Sequence, residues 1–204
     1  MNTFNQTAAT WDSNPIHWER SEAIAQKIRQ KIVLNPSMTA LEYGAGTGIL
    51  SLILKDSLKE ITLMDNSIGM VKVMEEKIKK EQVEHLKPLF FNLETAPYRD
   101  KTFDLIFTQM VMHHVVGVKA MITRFYDLLN EGGCLAIADL YAEDGSFHGS
   151  GFTGHLGFDM EDLSQTLKDA GFKNVSHEPC FVIKKQTENN GMKDFPVFII
   201  TGVK

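Results

Sequence analysis

The segment Leu41-Glu42-Tyr43-Gly44-Ala45-Gly46-Thr47-Gly48 constrains this chain more than any other stretch. Glycines at alternate positions permit a sharp bend and let a ligand come close to the backbone, because no Cβ stands in the way. The turn lies between a short apolar run, Thr39 to Tyr43, and the helical spacing of Ile49, Leu50, Ile53 and Leu54. A helix starting beside Thr47 aims free N–H groups at whatever occupies the turn. A plain connection does not require so many glycines, so the turn reads as a cofactor pocket.

The rest of the chain alternates in kind. Ile24, Ile28 and Ile32 form a helix stripe that Asn35-Pro36 ends. Glu60 to Asp65 is a second apolar run, and Val71, Met74 and Ile78 continue as a helix with Ser67 as its cap. Leu89 to Phe91 and Phe103 to Thr108 read as the third and fourth strands. A helix carrying Ile122, Phe125 and Leu129 is expected to stop at Gly132-Gly133, before a fifth strand, Cys134 to Leu140. Residues 142–158 are a loop rich in Gly, Ser and His. Asp159 then caps a helix with Leu163, Leu167 and Ala170 that stops at Gly171. Phe181 to Ile183 and Val197 to Ile200 read as a closing antiparallel pair joined by the polar segment Lys184 to Asp194. Such alternation predicts an α/β fold, doubly wound, with a mostly parallel sheet covered on both faces.

A length of 204 residues favours one domain over 1–204. Residues 1–35 form a helical N-terminal extension, where Phe4, Trp11 and Trp18 stand among polar residues as packing or as a lid over the pocket. The net charge of -5 offers no field for phosphate backbones, which argues against nucleic acid as a partner. No apolar run approaches the roughly 20 residues of a membrane span. The first residues lack a basic-then-apolar leader pattern, so no membrane partner and a cytoplasmic location are expected. Cys134 and Cys180 have no ligand spacing and read as buried thiols.

In open α/β sheets, ligands bind beyond the carboxyl ends of the strands. That rule selects Glu42 to Gly48, Asp65-Asn66, Asn92 to Glu94, Thr108 to His114, and Asp139 to Tyr141. A dinucleotide fingerprint would place Gly or Ala at position 49, where Ile49 stands, and a P-loop would need Lys after its last glycine. What remains is E-x-G-x-G-x-G with Asp65 ending the next strand, where a carboxylate can accept from both hydroxyls of a ribose. Adjacent residues point in different directions, and no HxxxH or carboxylate spacing accompanies His113-His114, so no metal is expected. One of the pair can line a substrate pocket, as can His148 and His155 of the loop.

These motifs resemble those of the class I S-adenosylmethionine-dependent methyltransferases, especially the UbiE-like small-molecule enzymes. Leu41 to Gly48 is similar to the first motif of that family, and Met64-Asp65-Asn66-Ser67 with Met70 to the segment that holds the ribose and flanks the adenine. Phe103 to Phe107 followed by His113-His114, Leu128 to Gly133, and Ala170-Gly171-Phe172 are further resemblances. The likeness implies a Rossmann-like sheet of seven strands with an antiparallel C-terminal strand. It implies S-adenosyl-L-methionine as cofactor and S-adenosyl-L-homocysteine as product. By the same likeness, Gly44, Ala45, Gly46 and Gly48 approach the methionine part and Glu42 orders its ammonium. Asp65 binds the ribose, Met70 packs on the adenine, and the turn Asn92-Leu93-Glu94 reads its edge, with Asn66 and Thr108 as further cofactor-binding candidates. Asn92 departs from the Asp of many relatives, but its amide oxygen can still accept from the adenine amine.

The expected function is methyl transfer to a small molecule, with Trp11, Trp18, His113 and His148 on the substrate or lid side. Transfer from a sulfonium is an in-line displacement, so alignment and exclusion of water matter most and a general base is optional. If the acceptor is a hydroxyl, the candidates for a base are His114, His155, Asp139 and Tyr141. The alternative is a catalytically idle S-adenosylmethionine-binding protein that regulates or scaffolds a partner.

Overall fold

The computed structural model of the chain describes residues 4–187 and 191–204. Seven strands form one sheet in the order β3-β2-β1-β4-β5-β7-β6. They are β1 (Thr39–Tyr43), β2 (Glu60–Asp65), β3 (Leu86–Phe90), β4 (Phe103–Gln109), β5 (Leu129–Leu140), β6 (Lys173–Thr187) and β7 (Gly191–Val203). The first five run parallel, while β7 is antiparallel to both β5 and β6. Strand order reverses between β1 and β4, so the two carboxyl ends diverge there and leave a crevice. The glycine turn opens into that crevice.

Alternation along the strands sorts side chains into two cores. From β1, Ala40 joins one face with Ile24 and Ile28 of α2 (Pro15–Lys31), Leu50 and Leu54 of α3 (Ile49–Leu54), and Met74 of α4 (Ile68–Glu81). Leu41 and Tyr43 point the other way, onto Met121 and Phe125 of α5 (Val118–Leu128) and Leu163 and Leu167 of α6 (Met160–Asp169). The expected caps form: Ser67 Oγ accepts from Met70 N at 3.3 Å, and Asp159 accepts from Glu161 N and Asp162 N.

Three boundaries differ from expectation. β3 starts at Leu86, earlier than Leu89, because Lys87 and Pro88 break the apolar run without breaking the parallel pairing to Thr62 and Leu63. α5 ends at Leu128 without a glycine stop. Gly132-Gly133 lie instead within β5, where pairing with β4 jumps from Phe103↔Leu129 to Leu105↔Cys134 and Gly132 takes φ +77°. The positive φ suits a bulge that takes up the extra residues. β6 and β7 form a long antiparallel ribbon that includes Lys184, Lys185 and Gln186, paired with Asp194, Lys193 and Met192. These residues read as a loop because β6 is an edge strand with exposed polar side chains. Part of the Lys184 to Asp194 connection, residues 188–190, lies outside the described residues, as do residues 1–3 of the N-terminal extension.

Ahead of α2, Phe4–Thr7 forms a short helix, α1, that continues as a 3-10 segment, Ala8–Ser13. Asn14 caps α2 by accepting from Ile16 N, and Pro15 fills the first helical position. Among the described residues, no helix is long and apolar enough to cross a membrane.

Candidate active site

Gly44, Gly46 and Gly48 all adopt positive φ, +67°, +57° and +78°. Met64 O accepts from both Gly44 N and Ala45 N, which ties the turn to the end of β2. Asp65 completes the clamp: Oδ2 accepts from Gly46 N at 2.8 Å and Oδ1 from Ser67 N at 2.8 Å. A Cβ on Gly44 would stand 2.3 Å from Val111 Cγ2, so the segment after β4 packs directly on this glycine. A Cβ on Gly46 would meet nothing within 4 Å. Gly46 therefore presents bare backbone to the open space beside it.

That space is a cavity of about 680 Å³ with two differently built ends. Gly44, Ala45, Gly46, Asp65, Asn66 and Met70 line one end, with Glu94 beside them. Trp11, His17, Arg20, His113, His114 and His148 line the other, together with Phe147 and Phe152.

The N-terminal segment closes the cavity from outside. Asn5 Oδ1 accepts from Ser67 Oγ and Gly69 N at the start of α4. Asp12 accepts from Thr47 Oγ1 of the glycine turn and pairs with Lys77 Nζ at 2.6 Å. The Phe4 ring meets His114 edge-on at 5.4 Å, and Trp11 stacks on His17 at 4.2 Å.

Several sequence-selected residues stand elsewhere. Glu42 is fully buried on the α3 side of the sheet and does not line the cavity. Alternation turns it away from Tyr43, and its Oε2 accepts from Ser51 N and Ser51 Oγ while Oε1 has no partner. Burial pushes its pKa up to about 8. Gly48 packs against Leu63, Leu93 is buried in the α5 core, and Thr108 is buried with its Oγ1 unpaired. Asn92 spends its amide oxygen on Glu94 N at 2.8 Å, shaping the turn from which Glu94 reaches the cavity. Trp18 sits under Lys77, whose Nζ lies 5.6 Å from the ring centre.

The four candidate bases separate in the same way. His155 is structural: its Nε2 bonds Val115 O at 2.9 Å and its backbone N donates to His113 O. Tyr141 packs edge-on against Phe198 and bridges to Phe158, away from the cavity. His114 lines the cavity, and burial lowers its pKa to about 4. Asp139 is fully buried and reaches the cavity through His113, whose Nδ1 lies 2.6 Å from Asp139 Oδ1. A carboxylate partner fixes the proton on Nδ1 and leaves Nε2 as the accepting nitrogen.

The separation expected for His113 and His114 also needs correction. Both sit in a 3-10 turn, Met112–His114, with ring centres 4.2 Å apart, and Asp139 supplies a carboxylate partner from a distant strand. His148 joins them from the 142–158 loop, 5.0 Å from His113 and 5.2 Å from His114, stacked on Phe152 at 3.9 Å. Topology, not sequence spacing, makes this group.

Arg20 was not selected from sequence. It extends the Ile24 and Ile28 stripe back by one turn, and a charged residue on an apolar stripe was the available signal. The side chain is only 8% exposed, its Nε has no partner, and burial lowers its pKa to about 10 against the opposing pull of Asp139. It leaves a cationic group at the histidine end of the cavity.

A family model described as a methyltransferase domain matches residues 41–137, from the glycine turn through β5. Over those residues the chain resembles the class I S-adenosylmethionine-dependent methyltransferases. The cofactor of such a domain is S-adenosylmethionine. An uncharacterized methyltransferase of Schizosaccharomyces pombe is 27% identical over 155 residues, 68% of this chain and 54% of that protein. A demethylmenaquinone methyltransferase of Porphyromonas gingivalis is 26% identical over 144 residues, 67% of this chain and 58% of that protein. The chain thus spans little more than half the length of these two curated relatives. Among solved structures, the YcgJ protein of Bacillus subtilis superposes with TM-score 0.75 at 16% identity, covering 90% of this chain and 98% of that one. The putative methyltransferase of Haloferax volcanii, solved in complex with the Trm112 activator, gives 0.76 at 15% identity, covering 98% and 96%. These similarities establish the same sheet and winding.

The residues present suit this cofactor. The bare flank of Gly46 admits a ligand against the backbone, and Asp65 keeps lone pairs beyond those given to Gly46 N and Ser67 N. Met70 adds an apolar, polarisable surface to the same end.

Proposed function

We propose that this methyltransferase transfers a methyl group to a small-molecule acceptor held at the histidine end of the cavity, under the N-terminal segment. The supporting observation is that one cavity joins an end lined by Gly44, Gly46 and Asp65 to a second end walled by Trp11, Arg20 and three histidines. An idle binding protein needs the first end and not the second. In this reading Asp65 accepts from the ribose hydroxyls, Asn66 and Met70 flank the adenine, and Gly44 to Gly46 border the methionine part. Glu94, presented by the Asn92 turn, faces the adenine edge. The bound cofactor supplies an electrophilic methyl group on a sulfonium. The chain aligns the acceptor, and α1 with the segment after it keeps water out. Tyr141 and His155 are not bases here, because neither lines the cavity; His113, held by Asp139, and His114 face the acceptor. The acceptor's chemistry follows from Arg20, whose buried guanidinium suits an anionic or strongly polar group. The residues act as one domain over 1–204, with 1–35 as the lid-bearing extension.

Calorimetry with S-adenosylmethionine and S-adenosylhomocysteine tests the cofactor end, and saturable 1:1 binding is expected. Incubation with methyl-labelled cofactor and a fractionated cell extract tests the acceptor end. Label is expected in the low-molecular-weight fraction. Label confined to protein or nucleic acid, or no transfer with intact cofactor binding, would overturn the small-molecule reading.

A further inference from the structure

We propose that His113, His114 and His148 form a three-histidine site for a divalent transition metal, of which Zn²⁺ is the chemical match, at the acceptor end of the cavity. One ligand nitrogen from each ring lies within 4.8 Å of the other two. Tetrahedral zinc with Zn–N near 2.0–2.1 Å requires nitrogens about 3.4 Å apart. Closing the difference requires the rings to move, and His148 is the exposed member of the three. Its loop has hinges on both sides, with positive φ at Gly145, Gly149 and Gly151, whereas His113 and His114 are held by their shared 3-10 turn.

The surroundings match a built site rather than a chance meeting of rings. Asp139 Oδ1 accepts a hydrogen bond from Nδ1 of His113 at 2.6 Å and another from Leu140 N at 2.7 Å. A carboxylate behind a ligating histidine fixes the tautomer, turns Nε2 outward and raises its basicity. Asp139 is fully buried and His113 nearly so, which commits a costly pair to this position. Phe152 stacks on His148 from the other side and Phe147 meets it edge-on at 4.8 Å. Imidazole donors suit zinc, cobalt, nickel, copper and iron and do not suit magnesium or calcium.

Three protein ligands leave a fourth position, and these three histidines line the cavity that also holds Arg20. A metal there takes one lone pair of an acceptor oxygen or sulfur and leaves the others free. An acceptor hydroxyl or thiol coordinated in this way loses its proton to water at neutral pH and needs no protein base. Its lone pair then forms the new bond to carbon as the sulfonium's bond to that methyl breaks, and the electron pair stays with the departing thioether. This use of the metal rests on the proposed function; the metal site itself does not.

The test uses the full chain, stripped with a chelator and titrated with Co²⁺ alone. A single equivalent is expected to give the intense visible absorption of tetrahedral nitrogen-ligated cobalt, and Zn²⁺ should displace it. His148→Ala, on an exposed loop, should abolish the 1:1 signal, and His114→Gln should do the same. His177→Ala, on the exposed edge strand, should leave it unchanged. Asp139→Asn should weaken binding about 10- to 100-fold, as loss of a carboxylate behind a ligand does. Circular dichroism and S-adenosylhomocysteine calorimetry on each variant show whether the fold and the cofactor end survive. Absence of stoichiometric Co²⁺ binding by protein that binds S-adenosylhomocysteine would overturn the metal site and leave the proposed function standing. Cobalt binding that persists in both His148→Ala and His114→Gln would also overturn it.

Discussion

Glu42 gives the sharpest quantitative expectation, because its carboxyl is fully buried with one oxygen unpaired. Its pKa rises from 4.5 to about 8, with burial the largest cause and the two bonds from Ser51 opposing it. In the unfolded chain the group ionises near 4.5, so between that pH and about 8 the folded state holds a proton that the unfolded state has released. Stability then falls as pH rises through this window, at about 1.4 kcal/mol per pH unit. Over the whole interval the loss is about 5 kcal/mol, and beyond the upper pKa both states are ionised and the slope vanishes. Glu42→Gln keeps an acceptor for Ser51 and carries no charge at any pH. Urea unfolding of both proteins from about pH 5 to about pH 8 isolates the effect, since every other group cancels in the difference. The variant should gain on the wild type by about 1.4 kcal/mol for each pH unit. A difference that stays constant across the range would refute the argument, because it would show Glu42 ionised in the folded protein throughout.

Gly44→Ala should destabilise the protein by about 2–4 kcal/mol, from the left-handed backbone and from overlap with Val111. Val111→Ala should recover the overlap part, and thermal melts of the single and double variants check this. Asp65→Asn should lower S-adenosylhomocysteine affinity by at least about tenfold in calorimetry, since the amide can accept from fewer partners than the carboxylate. Asp65→Ala should also lower the melting temperature, because Gly46 N and Ser67 N both lose their acceptor. Asp12→Ala should expose the stretch around Trp11 to limited proteolysis, and unchanged cleavage would show that the pairs to Thr47 and Lys77 do not hold the segment down.

Most of the fold was legible because its strands and helices carry their own periodicity. The alternation was readable from Leu41, Leu63, Phe107 and Ile137 in the strands and from Met74, Ile122 and Leu163 in the helices. The closing antiparallel pair was legible at Phe181 to Ile183 and Val197 to Ile200, but its extension through Lys184 to Asp194 was not, since an edge strand such as β6 continues without burying a full face. At the site, local motifs were readable and long-range pairings were not. The glycine turn and Asp65 announce themselves by residue type and spacing. Glu42 shares the same motif, yet strand alternation sends it to the opposite face, a consequence that counting residues from Tyr43 would have exposed. The partnership of His113 with Asp139 joins residues 26 apart through neighbouring strand ends. His148 joins from a loop whose path no periodicity encodes. Residues of this kind become a site only when the sheet places them together.

The N-terminal segment has its polar anchors, Asn5 and Asp12, on α4 and the glycine turn, while its Phe4 ring rests on His114 across the cavity. Whatever orders the glycine turn therefore also orders a wall of the opposite end. With an acceptor at that end, as proposed, the two occupants should be thermodynamically coupled, and the coupling must run equally both ways: the factor by which bound S-adenosylhomocysteine tightens an acceptor equals the factor by which that acceptor tightens S-adenosylhomocysteine. Part of this factor is entropy already spent in settling the segment, so severing Asp12 from Lys77 should shrink the cooperativity more than either separate affinity.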